Sequence, residues 1–407
     1  MPDTTAPVFL ARQPVYDAKQ QVFGYELLYR RHFDSQGAGD ISIAEAARSL
    51  ANALVEIGLN ELVGRSKAFI NVTEEMIVAR AVEAFPAKRV IVEILEHVRP
   101  TDEVLAELKR LKRLGYKFAL DDFIWNDLTA PMLPFADIVK VDIADVGFEN
   151  LPALVENLRQ FPVVRLAERV ETHDEQRACK DLGFELFQGY YMSKPQLVEG
   201  RGIKTNHLAL VRLISRMNAP DLTLDELEGL VASDVQLNVK LLKFIKSAYF
   251  GLPTKVDSIR KALLFVGVNT LAAVATLLMM SQFANKPQEL VFTAMVRAKM
   301  AERLGAHLGH PDTDRHFTVG MLSVLDALMD TPMVQLLSEL PLAEEIEDAL
   351  LKPDDGGDLA TVLRVVRAFE RGDFDAVSAA FIPLDVASSA YRFALGWACQ
   401  TQAAIAA

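Results

Sequence analysis

The sequence predicts two fold classes in succession. Residues 1–200 read as α/β, a β/α (TIM-like) barrel with an antiparallel first strand, and residues 201–407 read as an all-α domain. Three observations predict this. Short apolar runs before residue 195 repeatedly end in a polar group, helical-looking stretches separate them, and beyond Pro195 the strand pattern stops. Phe69-Ile70-Asn71, Val90-Ile91-Val92-Glu93, Phe118-Ala119-Leu120-Asp121-Asp122, Ile138-Val139-Lys140 and Arg165-Leu166-Ala167-Glu168 are five such endings. Glu26 beside Leu27-Leu28, and Phe187-Gln188, add one near each end of the region. In a β/α barrel the C-terminal strand ends form one rim, so groups scattered along the chain converge on one pocket.

Eight strands can be counted: Val8–Gln13, Val22–Leu28, Ala68–Val72, Val90–Leu95, Phe118–Asp122, Asp137–Asp142, Val163–Glu168 and Leu186–Tyr190. Tyr16-Asp17-Ala18-Lys19 joins the first two and is too short for a crossover helix, which predicts an antiparallel hairpin. A helix from Ile43 to Ile57 carries Ala47, Leu50, Ala51, Leu54 and Val55 on one face, as a barrel-covering helix should. Thr101 to Leu114 and Glu171 to Leu182 are two further crossover helices. Gln196 to Asn206, with Gly200 and Gly202, reads as a linker. Thr223-Leu-Asp-Glu226 is a capping box, and an amphipathic helix spans Asp234 to Ala248. Further helices are expected at about 257–266, 269–283, 289–305, 313–329, 358–371 and 385–403.

A formal charge of −12 excludes non-specific nucleic-acid binding, which draws its affinity from excess Lys and Arg. Cys179 and Cys399 cannot form a disulfide framework, and MPDTTAPVF lacks the basic and apolar regions of a signal peptide, so a cytoplasmic protein is expected. Ala262 to Phe283 carries no charged side chain, yet Val266-Gly267-Val268-Asn269-Thr270 interrupts it with a helix stop and a new N-cap. Buried core helices, and no membrane span, are the expectation there.

The rim residues suggest the chemistry. Glu26, Glu93, Asp121, Asp122, Glu168 and Glu171 are carboxylates, and Asn71 offers a neutral oxygen. Six carboxylates at one rim repel one another unless cations neutralise them. An all-oxygen set without Cys or His suits Mg²⁺ or Mn²⁺ rather than zinc. Two such ions would clamp the attacking and leaving oxygens of a phosphodiester and lower the pKa of a bound water. Lys140 is placed to orient that water or stabilise phosphoryl charge, and Gln188 offers an amide. Asp121-Asp122 are neighbours, so only one can point into a barrel and the other must sit in the turn.

These residues resemble the EAL domain, which hydrolyses the bacterial second messenger cyclic di-GMP to linear pGpG. The family's Glu-Ala-Leu-x-Arg stands here as Glu26-Leu27-Leu28-Tyr29-Arg30, preceded by Gln13-Pro14. Asn71-Val72-Thr73, Glu93-Ile94-Leu95-Glu96, Leu120-Asp121-Asp122-Phe123, Lys140-Val141-Asp142, Ala167 to Thr172 and Gln188-Gly189-Tyr190 follow in the family's order. The resemblance implies that Glu26, Asn71, Glu93 and Asp121 hold metal, with Asp122, Glu168 and Glu171 serving a second metal or the water. It further implies that Lys140 assists the water, that Gln13 and Arg30 contact the dinucleotide, and that the chain forms a homodimer. Three departures bear on activity. The middle Ala is Leu27, the Gly of Ala-Glu-Gly-Val-Glu is Arg169, and the Gly-Thr-Gly-type loop after Asp-Asp-Phe is Ile124-Trp125-Asn126-Asp127. Arg169 is expected to pair with Glu168 or Glu171 and compete with a metal, and the loop that positions the ligands is expected to be lost.

The second half resembles an HDOD domain, a catalytically empty relative of the HD metal-dependent phosphohydrolases. The match runs from Leu227 through Asp234–Lys243 and Lys246–Gly251 to Ser258–Gly267. No His-Asp dyad occurs after residue 195, and where HD relatives carry it this chain has Gly320-Met-Leu-Ser-Val324. His173-Asp174 reads as part of a capped first helical turn, and His307, His310 and His316 as surface histidines. The order of the two halves resembles the YuxH-like signalling proteins, which implies an unidentified signalling partner for the helical half. Three readings stay open at this point: a phosphodiesterase, a receptor that binds cyclic di-GMP without turnover, and an inactive scaffold acting through protein–protein contacts.

Overall fold

The computed structural model describes residues 8–31, 58–194, 287–338, 342–355 and 357–406, with positions 223, 226, 241, 271, 274, 275 and 278. It divides into two compact units, Met1–Tyr191 and Met192–Ala407. The expected helices Ile43–Ile57 and 257–266 and the linker Gln196–Asn206 lie outside the described residues. Of the helices expected over 234–248 and 269–283, Leu241, Leu271, Val274, Ala275 and Leu278 are described, and all five are helical and buried. No described helix is long and apolar enough to cross a membrane.

The first unit is a closed eight-stranded barrel in sequence order. Its strands are β1 (Val8–Asp17), β2 (Val22–Arg31), β3 (Lys67–Val72), β4 (Val90–Ile94), β5 (Lys117–Leu120), β6 (Ile138–Asp142), β7 (Val164–Glu168) and β8 (Leu186–Gln188). Strand β1 runs antiparallel to both its neighbours, β2 and β8, and all other pairs are parallel. The hairpin is longer than the sequence suggested. Tyr16 and Asp17 belong to β1, and the Asp17 carboxylate closes the turn by accepting the Lys19 and Gln21 amides at 2.8 and 2.9 Å. A side chain satisfying turn amides fixes the chain reversal without a crossover.

The barrel interior is built in layers, because alternate strand residues face the same side. Val15, Phe69, Ile91, Ala119, Ile138, Leu166 and Leu186, one from each strand but β2, form a buried apolar cluster. Gly24 fills the β2 place, where a Cβ would stand 2.9 Å from the Phe69 ring. Burial of each large member contributes roughly 1.5–3 kcal/mol relative to exposure, a floor on which a polar layer can stand. Outside, α3 (Asp102–Arg113) and α6 (His173–Leu182) cover the sheet. They follow, in chain order, α1 (Leu59–Val63) and α2 (Glu74–Val78), and α4 (Ile143–Val146) and α5 (Leu151–Leu158) lie between them. Thr172 caps α6 in a reciprocal box with Glu175, so His173-Asp174 is a capped first turn, as expected.

The described part of the second unit is helical: α7 (Gln288–His307), α8 (Thr313–Leu322), α9 (Leu325–Met329), α10 (Met333–Leu337), α11 (Glu344–Leu351), α12 (Gly357–Glu370), α13 (Phe374–Ala379) and α14 (Leu384–Ala406). The Thr223–Glu226 capping box is present, each backbone amide donating to the other residue's side chain at 3.1 and 3.3 Å. The single helix expected over 313–329 is broken at Ser323-Val324, and α10, α11 and α13 were not anticipated. They are short, and packing rather than intrinsic propensity sustains such helices.

A buried ion pair reaches the break. Arg297 of α7 donates to both Glu370 carboxylate oxygens at 3.1 and 2.9 Å and to Ser323 Oγ at 3.2 Å. Ser323 is therefore committed to a structural network at the position where the HD dyad would stand. Removing one member of a buried pair strands the other charge at a cost of about 3–5 kcal/mol. Glu370→Ala is expected to destabilise the helical unit by that amount. Urea unfolding followed by Trp397 fluorescence, in a Trp125→Phe background, checks it.

His316 is buried, not a surface residue, and its Nε2 lies 2.9 Å from His310 Nδ1. Burial holds its pKa below the ordinary 6.5. The unfolded chain therefore takes up a proton that the native unit resists, so this contribution to stability is full above 6.5 and is lost as pH falls through the lower native value. His316→Gln is expected to flatten the decline of the urea midpoint below that pH.

Candidate functional site

Two residues beyond the apolar layer, toward the C-terminal rim, stands the polar one. Gly24 leads to Glu26, Phe69 to Asn71, Ile91 to Glu93, Ala119 to Asp121, Ile138 to Lys140, Leu166 to Glu168 and Leu186 to Gln188. Strand β1 runs the other way, so its rim residue Gln13 precedes Val15 by two. One periodicity thus delivers all eight side chains to one depth of one barrel.

Four of the acids converge on a single nitrogen. Lys140 Nζ lies 3.2 Å from Glu26 Oε2, 2.8 Å from Asp121 Oδ1 and 2.9 Å from Glu168 Oε1, and it also contacts Glu93 Oε1. The Lys140 and Glu93 side chains are 2% and 0% exposed. Gln188 Nε2 donates to Glu26 Oε2 at 2.7 Å and to Gln13 Oε1 at 3.1 Å, and Asn71 Nδ2 reaches Glu26 Oε1 at 3.5 Å. Burial alone would lower the Lys140 pKa, but Glu26, Glu93, Glu168 and Asp121 outweigh it and keep the ammonium protonated. One ammonium against four carboxylates leaves an excess of negative charge. Burial, followed by Glu26, pushes Glu93 well above the usual carboxylate range. Burial also lifts Glu168 to about 8.

Glu93 Oε2, Glu168 Oε2 and Gln188 Oε1 are buried without a hydrogen-bond partner among the described residues. Buried acceptors are normally satisfied, so orphans collected around one pocket require an explanation. A hard cation would give these oxygens partners. The donors are all oxygens or amides, so the set can hold Mg²⁺ or Mn²⁺.

Asp122 occupies the turn after β5 with φ 41°, as expected for the second of two adjacent acids. Burial, then Asp121 and Asp142, raise its pKa. A residue without an assigned role joins it. Single carboxylate oxygens of Glu96, Asp121 and Asp122 lie within 4.8 Å of one another, a second place where a cation can sit. Its signal was legible, since Glu96 closes the Glu93-x-x-Glu96 spacing just past β4. Glu171 is exposed on the turn before α6, outside the Lys140 set, with its backbone amide held by Glu175. Arg30 lies in β2 opposite Phe9, and its side chain is outside the described residues.

One expectation needs correction. Arg169 does not turn to Glu168 or Glu171. At φ 53° its side chain leaves the pocket, and Nε pairs with Asp142 Oδ2 at 2.6 Å, with Nη1 3.5 Å from Asp145. The left-handed backbone that a glycine would adopt freely here directs arginine away from the acids. The family's glycine loop is absent after Asp122, and the residues that replace it are ordered by their own side chains. Asn126 Oδ1 accepts the Leu128 and Thr129 amides at 2.8 and 3.0 Å, Thr129 Oγ1 donates to the Ile124 carbonyl, and Trp125 meets the Phe123 ring edge-on at 6.3 Å. Phe123 is fully buried and its amide donates to the Lys140 carbonyl at 2.9 Å. The turn that carries Asp121 and Asp122 is thereby tied to the strand that carries Lys140.

Known proteins share this chain's organisation. The sequence model of the EAL domain matches residues 7–195 and that of the HDOD domain residues 205–341. The cyclic di-GMP phosphodiesterase CdgJ of Vibrio cholerae is 33% identical over 387 residues, covering 92% of this chain and 88% of CdgJ. The chain belongs to the EAL–HDOD family. A second relative, YuxH of Bacillus subtilis, is 28% identical over 401 residues, covering 96% of this chain and 98% of YuxH. Among solved structures, a standalone EAL protein of Vibrio cholerae bound to cyclic di-GMP is 24% identical, with a TM-score of 0.38 over 46% of this chain and 92% of that one. In this EAL–HDOD protein the EAL match spans the whole barrel, and the HDOD match covers α7 to α10 and ends before α11.

Proposed function

We propose that residues 1–200 form an EAL barrel that binds cyclic di-GMP and hydrolyses one phosphodiester bond to give pGpG, using Mg²⁺ or Mn²⁺. Residues 201–407 form a non-catalytic HDOD domain that engages a signalling partner. The observation that carries this reading is the convergence of Glu26, Glu93, Asp121 and Glu168 on one buried point, with unsatisfied oxygens around it. A scaffold gains nothing from such a cluster, which is costly to bury.

Glu26, Asn71, Glu93 and Asp121 would hold a first ion, and Asp122 with Glu96 a second one beside Asp121. Such ions would supply neutralising charge and lower the pKa of a nearby water. Glu168 and Glu171 would orient an attacking water and take up its proton. Lys140, kept cationic by its neighbours, stabilises charge on the phosphoryl oxygens. Gln13, Gln188 and Arg30 position the dinucleotide. The two free cysteines and an intracellular ligand support a cytoplasmic location. Incubation with cyclic di-GMP and Mg²⁺ or Mn²⁺ is expected to yield pGpG by chromatography, and EDTA to stop it. Calorimetric binding without product would assign a receptor, and neither signal would leave a scaffold.

A further inference from the structure

The position of Lys140 has a consequence for how the barrel takes up an ion. Its Nζ stands where the carboxylates Glu26, Glu93, Asp121 and Glu168 converge, and an ammonium has three hydrogens for these four partners. Among the described residues, Lys140 is the cation in ion-pair contact with any of them. A divalent ion held by the same oxygens would lie within a few ångströms of Nζ, where two cations repel strongly in a dry pocket.

We propose that Lys140 is the built-in counter-cation of the ligand set: it holds the four acids together before an ion binds, and its ammonium must withdraw for the ion to take them. This rests on the divalent-ion reading above. Lys140 then does two opposed things. It keeps the barrel stable without metal, since four buried acids repel one another when nothing positive stands between them. It also weakens metal binding, because the ion must displace an existing set of ion pairs.

The test uses the full-length chain and Lys140→Met, which keeps the length of the side chain and removes its charge. Free Mn²⁺ is read by its electron paramagnetic resonance signal, and thermal unfolding is followed in EDTA and in Mn²⁺. The variant is expected to bind Mn²⁺ about tenfold or more tightly than the wild type, by relief of cation–cation repulsion. It should also melt lower in EDTA and recover in Mn²⁺. Should it fail to fold in EDTA, Glu93→Gln combined with Lys140→Met removes one acid as well, and is expected to bind Mn²⁺ more tightly than Glu93→Gln alone. Mn²⁺ uptake by the wild type, with equal or weaker uptake by the lysine variants, overturns the proposal and leaves the divalent-ion reading standing. No uptake by any of these proteins overturns that reading, and this inference with it.

Discussion

Glu26→Ala is expected to reduce pGpG formation by at least about a hundredfold, the scale on which losing one preorganised charge partner slows an enzyme. Glu26 is the most connected acid of the rim. It accepts Gln188 Nε2 at 2.7 Å, contacts Lys140 Nζ at 3.2 Å and is reached by Asn71 Nδ2 at 3.5 Å. Its loss removes a proposed ion ligand and releases the Gln188 amide that also holds Gln13. Stability should move the other way. Taking one carboxylate from a cluster with excess negative charge relieves repulsion, so the melting temperature in EDTA should not fall. Activity measured by chromatography and melting measured in parallel separate this outcome from simple unfolding. Product formation within about threefold of wild type would mean that Glu26 contributes no transition-state binding.

Gly189→Ala is expected to be the most damaging small substitution in the barrel. Gly189 has φ 147°, and a Cβ there would stand 2.1 Å from the Val170 carbonyl oxygen and 2.5 Å from its amide nitrogen. Those same atoms tie the end of β8 to the turn before α6. The Val170 amide donates to the Gln188 carbonyl at 3.0 Å, and the Tyr191 amide donates to the Val170 carbonyl at 3.1 Å. An added methyl must break this clasp. Backbone strain and overpacking together predict a loss of about 3 kcal/mol or more. Because Gln188 and Glu171 flank the clasp, cyclic di-GMP binding should fall in whatever fraction remains folded. Urea unfolding read by Trp125 fluorescence, in a Trp397→Phe background, gives the number. A midpoint equal to wild type would show that the clasp can yield.

Much of the site was legible because strand periodicity is rigid. Once Phe69, Ile91, Ile138 and Leu166 are placed inside, Asn71, Glu93, Lys140 and Glu168 must follow two residues on. The antiparallel first strand was legible for a similar reason, since four residues cannot hold a crossover helix. What sequence order could not show was side-chain direction in turns. Arg169 adjoins Glu168 along the chain, yet a positive φ sends it to Asp142. The loop over Ile124–Asp127 looked degraded because glycines are the familiar turn formers. Asn126 and Thr129 order it instead, through side-chain bonds to the backbone. Glu96 was visible in its motif but acquired a role once Asp121 and Asp122 were seen within reach. In the helical unit α7, α12 and α14 lie within a few residues of the bounds expected from the sequence. The break at Ser323 was not legible, and neither was the contact of Ser323 with Arg297, whose ion-pair partner Glu370 lies 73 residues further on.

In the proposed reaction a water activated at the carboxylate rim attacks phosphorus in cyclic di-GMP. The direct measurement is a reaction run in ¹⁸O-enriched water with Mn²⁺, with the product analysed by mass spectrometry. Attack by water breaks one phosphorus–oxygen bond of the ring and forms another, so the predicted product is linear pGpG carrying one ¹⁸O on its terminal phosphate. No product, or pGpG without label in that phosphate, would contradict the claim.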